Sequence, residues 1–242
     1  TMQRVYNVNY AITKSLKLDY SATVNARIEE PFGALNTEEK RDSVRKDFYN
    51  FGRMRDFNQI ANFNYTVPFD KIGILNWIST TVRYSANYGW TQAPPSYGSL
   101  GNTIQNSREI TVNSQLNMVS LYNKIPFLKK INSGTAKKKN PKSSEPAEAG
   151  SAATSKSKNE RQTVGTGLLR GIMMLRNISI NYTERNAIML PGFNHTIDYF
   201  GQNFSHNVPG LGFILGSQDD QIRYNLAKNG SLTNDPRLMN FY

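Results

Sequence analysis

Between Leu16 and Glu29 the sequence alternates without a break. Leu16, Leu18, Tyr20, Ala22, Val24, Ala26 and Ile28 take one parity, and Lys17, Asp19, Ser21, Thr23, Asn25, Arg27 and Glu29 take the other. Side chains alternate across a strand, so the pattern predicts a 14-residue strand with two chemically opposed faces. Globular strands usually run about 5–6 residues. Alternation this long asks for a taller sheet than a small sandwich supplies.

The pattern recurs. Tyr6, Val8, Tyr10 and Ile12 alternate with Asn7, Asn9, Ala11 and Thr13, and Ala61, Phe63, Tyr65 and Val67 alternate with Asn62, Asn64 and Thr66. Ile78 to Trp90 alternates throughout, with Val82, Tyr84 and Tyr88 on one parity and Arg83, Ser85 and Asn87 on the other. Two more segments follow the rule, Ile110–Met118 and Asn177–Tyr182. Six strands are therefore expected. A tight turn at Lys14-Ser15 joins the first two, and a short link through Pro68, Asp70 and Gly73 joins the third and fourth. Long connections of about residues 30–56 and 91–106 fall between them. Short turns at one end and long loops at the other are the habit of outer-membrane barrels.

The lengths suit a bilayer. From Trp77 to Trp90 is 13 steps, roughly 43 Å at about 3.3 Å each. At a tilt of roughly 40° the strand stands about 33 Å tall, enough to cross a greasy band of about 25 Å. The expected lipid face is Leu18, Tyr20, Val24, Phe63, Tyr65, Val82, Tyr84, Val112, Leu116, Ile178 and Ile180. The expected lumen face is Lys17, Asp19, Asn25, Arg27, Asn62, Asn64, Arg83, Asn87, Asn113, Asn117, Asn177 and Asn181, rich in amides as a hydrated wall is. Trp77 is expected at one membrane interface, with Tyr88 and Trp90 at the other, as an aromatic girdle. Period-two patterning does not itself separate lipid from a protein core. The rival fold is a water-soluble sandwich.

Composition closes other routes. The longest apolar run is Ile172-Met173-Met174-Leu175, far short of the about 20 residues of a membrane helix. There is no Cys among the 242 residues, hence no disulfide frame and no thiolate metal site. The N-terminus runs directly into a strand-like pattern with no secretory signal, as expected of a mature chain or a fragment. His195 and His206 lie eleven apart without a carboxylate pair, a weak metal signal. Asp219-Asp220 reads as a solvated turn, and Gly210-Leu211-Gly212 lacks the third glycine of a dinucleotide loop. No nucleophile–base–acid set is present, so no catalytic residue, cofactor or metal is expected.

Two regions depart from the strand pattern. Residues 123–162 hold ten Lys/Arg and three acids, +7 of the total +11. From about 133 to 162 the segment is Lys, Ser, Ala, Glu, Pro and Gly without aromatics, the composition of a disordered tether. A solvated loop is the plain reading; contact with anionic headgroups or an acidic partner is the sharper one. Nucleic-acid binding would want aromatics among the basic residues, and Lys137-Lys138-Lys139 has none nearby. After Tyr182, Pro191-Gly192-Phe193, Gly201-Gln202-Asn203 and Pro209-Gly210-Leu211-Gly212-Phe213 predict a structured extracellular loop folding over the barrel mouth, packed by Phe193, Phe200, Phe204 and Phe213.

Several stretches resemble the SprA (Sov) family, the outer-membrane translocon of the type 9 secretion system of Bacteroidota. They run from Thr13-Lys14-Ser15-Leu16-Lys17-Leu18 to Asn25-Ala26-Arg27-Ile28-Glu29-Glu30-Pro31, then Gly101-Asn102-Thr103-Ile104-Gln105-Asn106-Ser107 and Gln115-Leu116-Asn117-Met118. Leu121-Tyr122-Asn123-Lys124-Ile125-Pro126-Phe127-Leu128-Lys129-Lys130, Arg176-Asn177-Ile178-Ser179-Ile180-Asn181-Tyr182 and the region Pro191-Gly192-Phe193 to Gly216-Ser217-Gln218 complete the likeness. It covers most of the chain outside 133–162. The resemblance implies an all-β fold: an arc of long antiparallel transmembrane strands from a very large outer-membrane barrel, the largest known having about 36 strands. It further implies a passive conduit for folded cargo proteins with C-terminal secretion domains, in secretion and gliding motility. A PorV-like barrel or plug protein would sit at a lateral opening.

The expected organisation follows. Residues 1–122 carry strands one to five, 123–169 a basic periplasmic connection, 170–186 the sixth strand, and 187–242 the Gly/Pro/Phe-rich extracellular region. Six strands cannot close a barrel with a useful pore, so the segment would act only as part of a larger wall. Two alternatives remain open at this point. One is a soluble or surface carbohydrate-binding module using Tyr88, Trp90 and Tyr97 as sugar platforms; the other is a nutrient-uptake barrel of ordinary size.

Overall fold

The computed structural model describes residues 1–31, 33–34, 36–133, 171 and 173–241. The tether reading of 133–162 lies outside the described residues from 134 onward. The chain is all-β in character. Six strands form one antiparallel sheet in the order of the sequence: β1 (Met2–Ala11), β2 (Leu16–Arg27), β3 (Arg53–Val67), β4 (Ile78–Thr91), β5 (Asn102–Asn117) and β6 (Asn177–Phe193). No helix among the described residues is long and apolar enough to cross a membrane.

Register keeps the two faces apart. Tyr10 pairs with Leu18, Val8 with Tyr20, and Tyr6 with Ala22. On the other side of β2, Leu18 pairs with Phe63, Tyr20 with Ala61, and Val24 with Phe57. A one-residue slip would throw every one of these to the opposite face. A bulge at Asn25/Ala26 absorbs one extra residue of β3 and ends the clean alternation there.

The strand limits differ from the alternation in instructive ways. β2 stops at Arg27, two residues before the pattern does. β3 begins at Arg53 and β5 at Asn102, each about eight residues earlier than alternation indicates, so the expected loops at 30–56 and 91–106 are shorter. β6 runs Asn177–Phe193, later than the expected 170–186. The early parts of β3 and β5 carry Gln59 and Asn106 at apolar-parity positions, which masks the period. The first long connection also contains a helix, α1 (Glu38–Tyr49), with Glu38 and Glu39 in its first turn, where acids suit the helix dipole. It buries none of its residues.

The chain divides into two compact units. The larger comprises Thr1–Thr66, Thr81–Val112 and Tyr182–Tyr242; the other comprises Val67–Thr80 and Asn113–Asn181. In the larger unit the hydrophobic core lies between one face of the strands and the C-terminal segment. Val24, Phe57, Tyr88, Trp90, Ile104 and Leu190 pack with Ile197, Val208, Phe213, Ile214, Leu226 and Leu232. That segment carries two short helices, α4 (Leu211–Ile214) and α5 (Ile222–Lys228), and returns to the strand end through a bridge from Phe193 to Leu232. In the smaller unit β5 passes directly into α2 (Met118–Lys124), followed by α3 (Pro126–Ser133). Asn117 is the cap: its side chain accepts from the Ser120 amide at 3.0 Å. Tyr122 is buried there and donates to the Leu175 carbonyl at 3.3 Å. The first part of the expected periplasmic connection is thus helical.

Candidate functional site

The amide-rich face is the first candidate surface. In the larger unit its side chains are cross-linked from strand to strand. Ser21 donates to Asn7 at 2.8 Å, Asn64 donates to Asp19 at 2.9 Å, and the Arg83 Nε donates to Asn64 at 2.8 Å. Further along, Asn87 donates to Ser107 at 3.2 Å, and Arg185 pairs with Glu109 at 2.8 Å. Asp19, Asn64 and Arg83 therefore join one polar chain, with Asn87–Ser107 a separate pair on the same face. Asp19, Arg83, Glu109 and Arg185 are each partnered and partly solvated, so this part of the surface presents amides and paired charges.

The remaining lumen-expected residues divide. Lys17, Arg27, Asn113, Asn177 and Asn181 are exposed, while Asn25 and Asn62 are half-buried. Asn117 serves as a helix cap as well as a strand end. Arg27 ends its strand beside a polar cavity of about 390 Å³ that Glu29, Arg53, Arg55, Gln92 and Asn102 also line. Arg53 reaches Glu29 at 3.4 Å within it.

The apolar face carries three corrections. Val24 does not face lipid: it is buried under the C-terminal segment. Tyr88 and Trp90 form no exposed girdle. They are 2% and 1% exposed, packed inside that same core, and the Trp90 indole donates to the His195 carbonyl at 3.2 Å. The C-terminal region is a cap seated on the strand face rather than a lid over a mouth. Phe193 and Phe213 point into it as anticipated, whereas Phe200 and Phe204 point out.

Amides hold the cap down. Buried Gln59 accepts from the Tyr20 hydroxyl at 3.0 Å and donates to the Ile214 carbonyl at 3.4 Å. Buried Asn106 donates to the Phe213 and Ser217 carbonyls, both at 2.9 Å, and accepts from Gln218 at 3.1 Å. The Tyr84 hydroxyl donates to the Leu215 carbonyl. The bonds to the Ile214, Phe213, Ser217 and Leu215 carbonyls pair backbone acceptors of the cap, and the Phe213 carbonyl also accepts from the Gly216 amide at 3.1 Å. Gly201 fixes one corner. Its φ is +77°, and an added Cβ would meet the Tyr88 ring at 2.4 Å.

The other lipid-expected residues keep their parity without a cap over them. Tyr65 is exposed, and Leu18, Phe63, Val82 and Val112 are half-buried by strand neighbours. Tyr20 and Tyr84 are half-buried at the cap's margin. In the smaller unit Leu116 and Ile178 are half-buried and Ile180 is exposed; Trp77 is half-buried and lines a cavity of about 440 Å³ with Gln115 and Asn177.

The two histidines do meet. Their ring centroids lie 4.4 Å apart, with His195 against Ser231 and His206 against Asn203. Burial first, and the neighbouring His206 second, hold the His195 imidazole below its ordinary pKa. No cluster of three or more metal-ligating side chains occurs among the described residues. Sequence reasoning missed Gln59 and Asn106 altogether. Their signal was an amide standing on an otherwise apolar parity. No family model matches the chain, and no curated protein matches it.

Proposed function

We propose that this chain is an arc of a very large outer-membrane β-barrel, of the kind the SprA family forms, and that it works as wall rather than as catalyst in a channel passing folded cargo proteins. The observation that carries the reading is the pairing of long strands, such as β2 of 12 residues and β4 of 14, with two chemically opposed faces. Nine steps along β5 separate Arg108, at the cap's margin, from Asn117 at the strand's end. That is about 30 Å of strand at about 3.3 Å each, or about 23 Å at a tilt of roughly 40°, close to the about 25 Å apolar band of such barrels.

The outer strands support an arc. β1 and β6 stand at the two ends of the strand order, each with one neighbouring strand among the described residues. Val5, Tyr6, Val8 and Tyr10 of β1 are all exposed. Soluble proteins blunt long apolar edges, and barrels abolish them by closure. The sugar-platform reading loses two of its three aromatics, since Tyr88 and Trp90 are buried.

On this reading cargo with C-terminal secretion domains passes along the amide-rich face that carries Asn64, Arg83 and Asn87. Access is gated by partners such as a PorV-like barrel or plug. Two tests bear on it. Cysteines replacing Val82 and Arg83, adjacent on β4, are treated with a water-soluble maleimide in the native outer membrane; only the second should react, and equal labelling defeats the facing. Deleting the segment from its host protein should abolish surface delivery of such cargo, and undiminished delivery would refute the role.

A further inference from the structure

The margin of the cap is apolar where a solvated loop has no reason to be. Phe200 is 63% exposed, Leu211 60% and Leu215 43%. Phe200 also takes φ +57°, a left-handed conformation that is a genuine outlier for a bulky residue. The geometry gives the strain a purpose. Gly201 is wedged against Tyr88 and Phe57, which turns the preceding ring outward, 6.3 Å from Tyr20. Leu211 opens α4 and Leu215 caps its end, the Leu215 amide donating to the Leu211 carbonyl at 2.9 Å, so the two stand one turn apart. The Leu215 carbonyl accepts from the Tyr84 hydroxyl.

Phe200 and Leu215 thus flank Tyr20 and Tyr84, where the covered part of the strand face gives way to the uncovered part. The same border holds the Arg108–Glu184 ion pair at 2.9 Å, and the Tyr182 hydroxyl donates to Glu184 at 3.2 Å. Tyrosines with apolar rings and satisfied hydroxyls, beside a charged pair, are what a membrane–water interface selects. Past this border Phe63, Tyr65, Val82 and Val112 bear no charge.

We propose that Phe200, Leu211 and Leu215 form an interfacial anchor that seats the margin of the C-terminal cap in the outer leaflet, on the lipid side of the wall. The inference rests on the barrel reading above and adds a partner, the lipid surface, to a segment otherwise only structural. Continuity with the apolar strand face selects lipid over a protein occupant.

The chain has no native cysteine, which favours site-directed spin labels. Phe200→Cys, Leu215→Cys, Val82→Cys and Asn229→Cys are each labelled with a nitroxide in the intact protein, reconstituted in phosphatidylcholine vesicles. Protease resistance of the cap is the check that each variant folds. The readout is collision with oxygen relative to a water-soluble nickel chelate. Labels at 200 and 215 should give a ratio several-fold above that at 229, which sits beside the Asn194–Gly230 contact at the strand end, and approach the ratio at 82. If 82 reports lipid while 200 and 215 match 229, the anchor is refuted and the barrel reading stands. If 200 and 215 are shielded from both reagents, protein covers them and the anchor is again refuted. If 82 itself reports water, the barrel reading and the anchor fall together.

Discussion

Two parts of the apolar strand face share one alternation and meet different surroundings. Where the cap lies, Val24, Phe57, Tyr88, Trp90, Ile104 and Leu190 are buried. Beyond it Phe63, Tyr65, Val82 and Val112 stand at the same parity with no cap over them. Hydrophobicity does not separate the two sets. Amides do: Gln59 and Asn106 occupy apolar parity only under the cap, where backbone carbonyls need donors. On the proposed barrel reading lipid offers no hydrogen-bonding partner, so a buried amide at apolar parity marks contact with protein.

The sharpest way to break this comparison is to remove the largest buried side chain of the capped part. Trp90→Ala should cost about 3–5 kcal/mol by opening a cavity; the His195 carbonyl keeps its second donor, Asn102. Protease sensitivity confined to residues 194–241 would report it. Retained resistance would mean that the cap does not depend on this core. Next in size, on the proposed barrel reading, Val82→Arg should impair insertion by about 2–4 kcal/mol, the cost of a cation facing lipid near mid-membrane. Asn87→Arg, on the amide face, should stay within about 0.5 kcal/mol. Heat-modifiable gel mobility in membranes distinguishes them, and equal behaviour would erase the difference between faces. Asn106→Leu should cost about 1–3 kcal/mol, because it removes the side-chain donor to the Ser217 carbonyl and one of two donors to the Phe213 carbonyl. Amide exchange in α4 should speed while that in β2 holds.

Much of the strand architecture was legible because alternation is a direct print of the pleat. The parity of Leu18, Tyr20, Phe63 and Tyr65 survives intact in the register. The starts of β3 and β5 were not legible, since Asn58-Gln59 and Gln105-Asn106 carry amides on both parities and erase the period. Environment was the larger loss. Trp90 at a strand end looks the same to a periodicity argument whether its neighbour is a headgroup or Ile197. Only the glycine spacing after Pro191 hinted that chain would return to cover it, and that hint specified order without specifying which surface. The resemblance to the translocon family pointed to long strands and large loops but did not place the cap.

The smallest predicted effect concerns acid. His195 sits in the cap with its ring 5.5 Å from that of Phe193 and 4.4 Å from that of His206. Its Nε2 meets Ser231 at 3.2 Å, and its carbonyl accepts from Trp90 and Asn102. Burial and the second imidazole both disfavour its protonated form, so its pKa in the fold lies below the unfolded value of about 6.5. The unfolded chain therefore takes up the proton first. The contribution to stability is complete above that unfolded value and is lost as the pH falls through the lowered one. Protection of amides 195–208 from exchange, corrected for the intrinsic pH dependence, should fall between neutral pH and about pH 5, with the β1–β2 hairpin as an internal reference. His206→Gln removes the neighbouring charge but leaves the burial, so the loss of protection should shrink without vanishing. An unchanged profile would assign the acid response to burial alone, and a vanished one to the histidine pair alone.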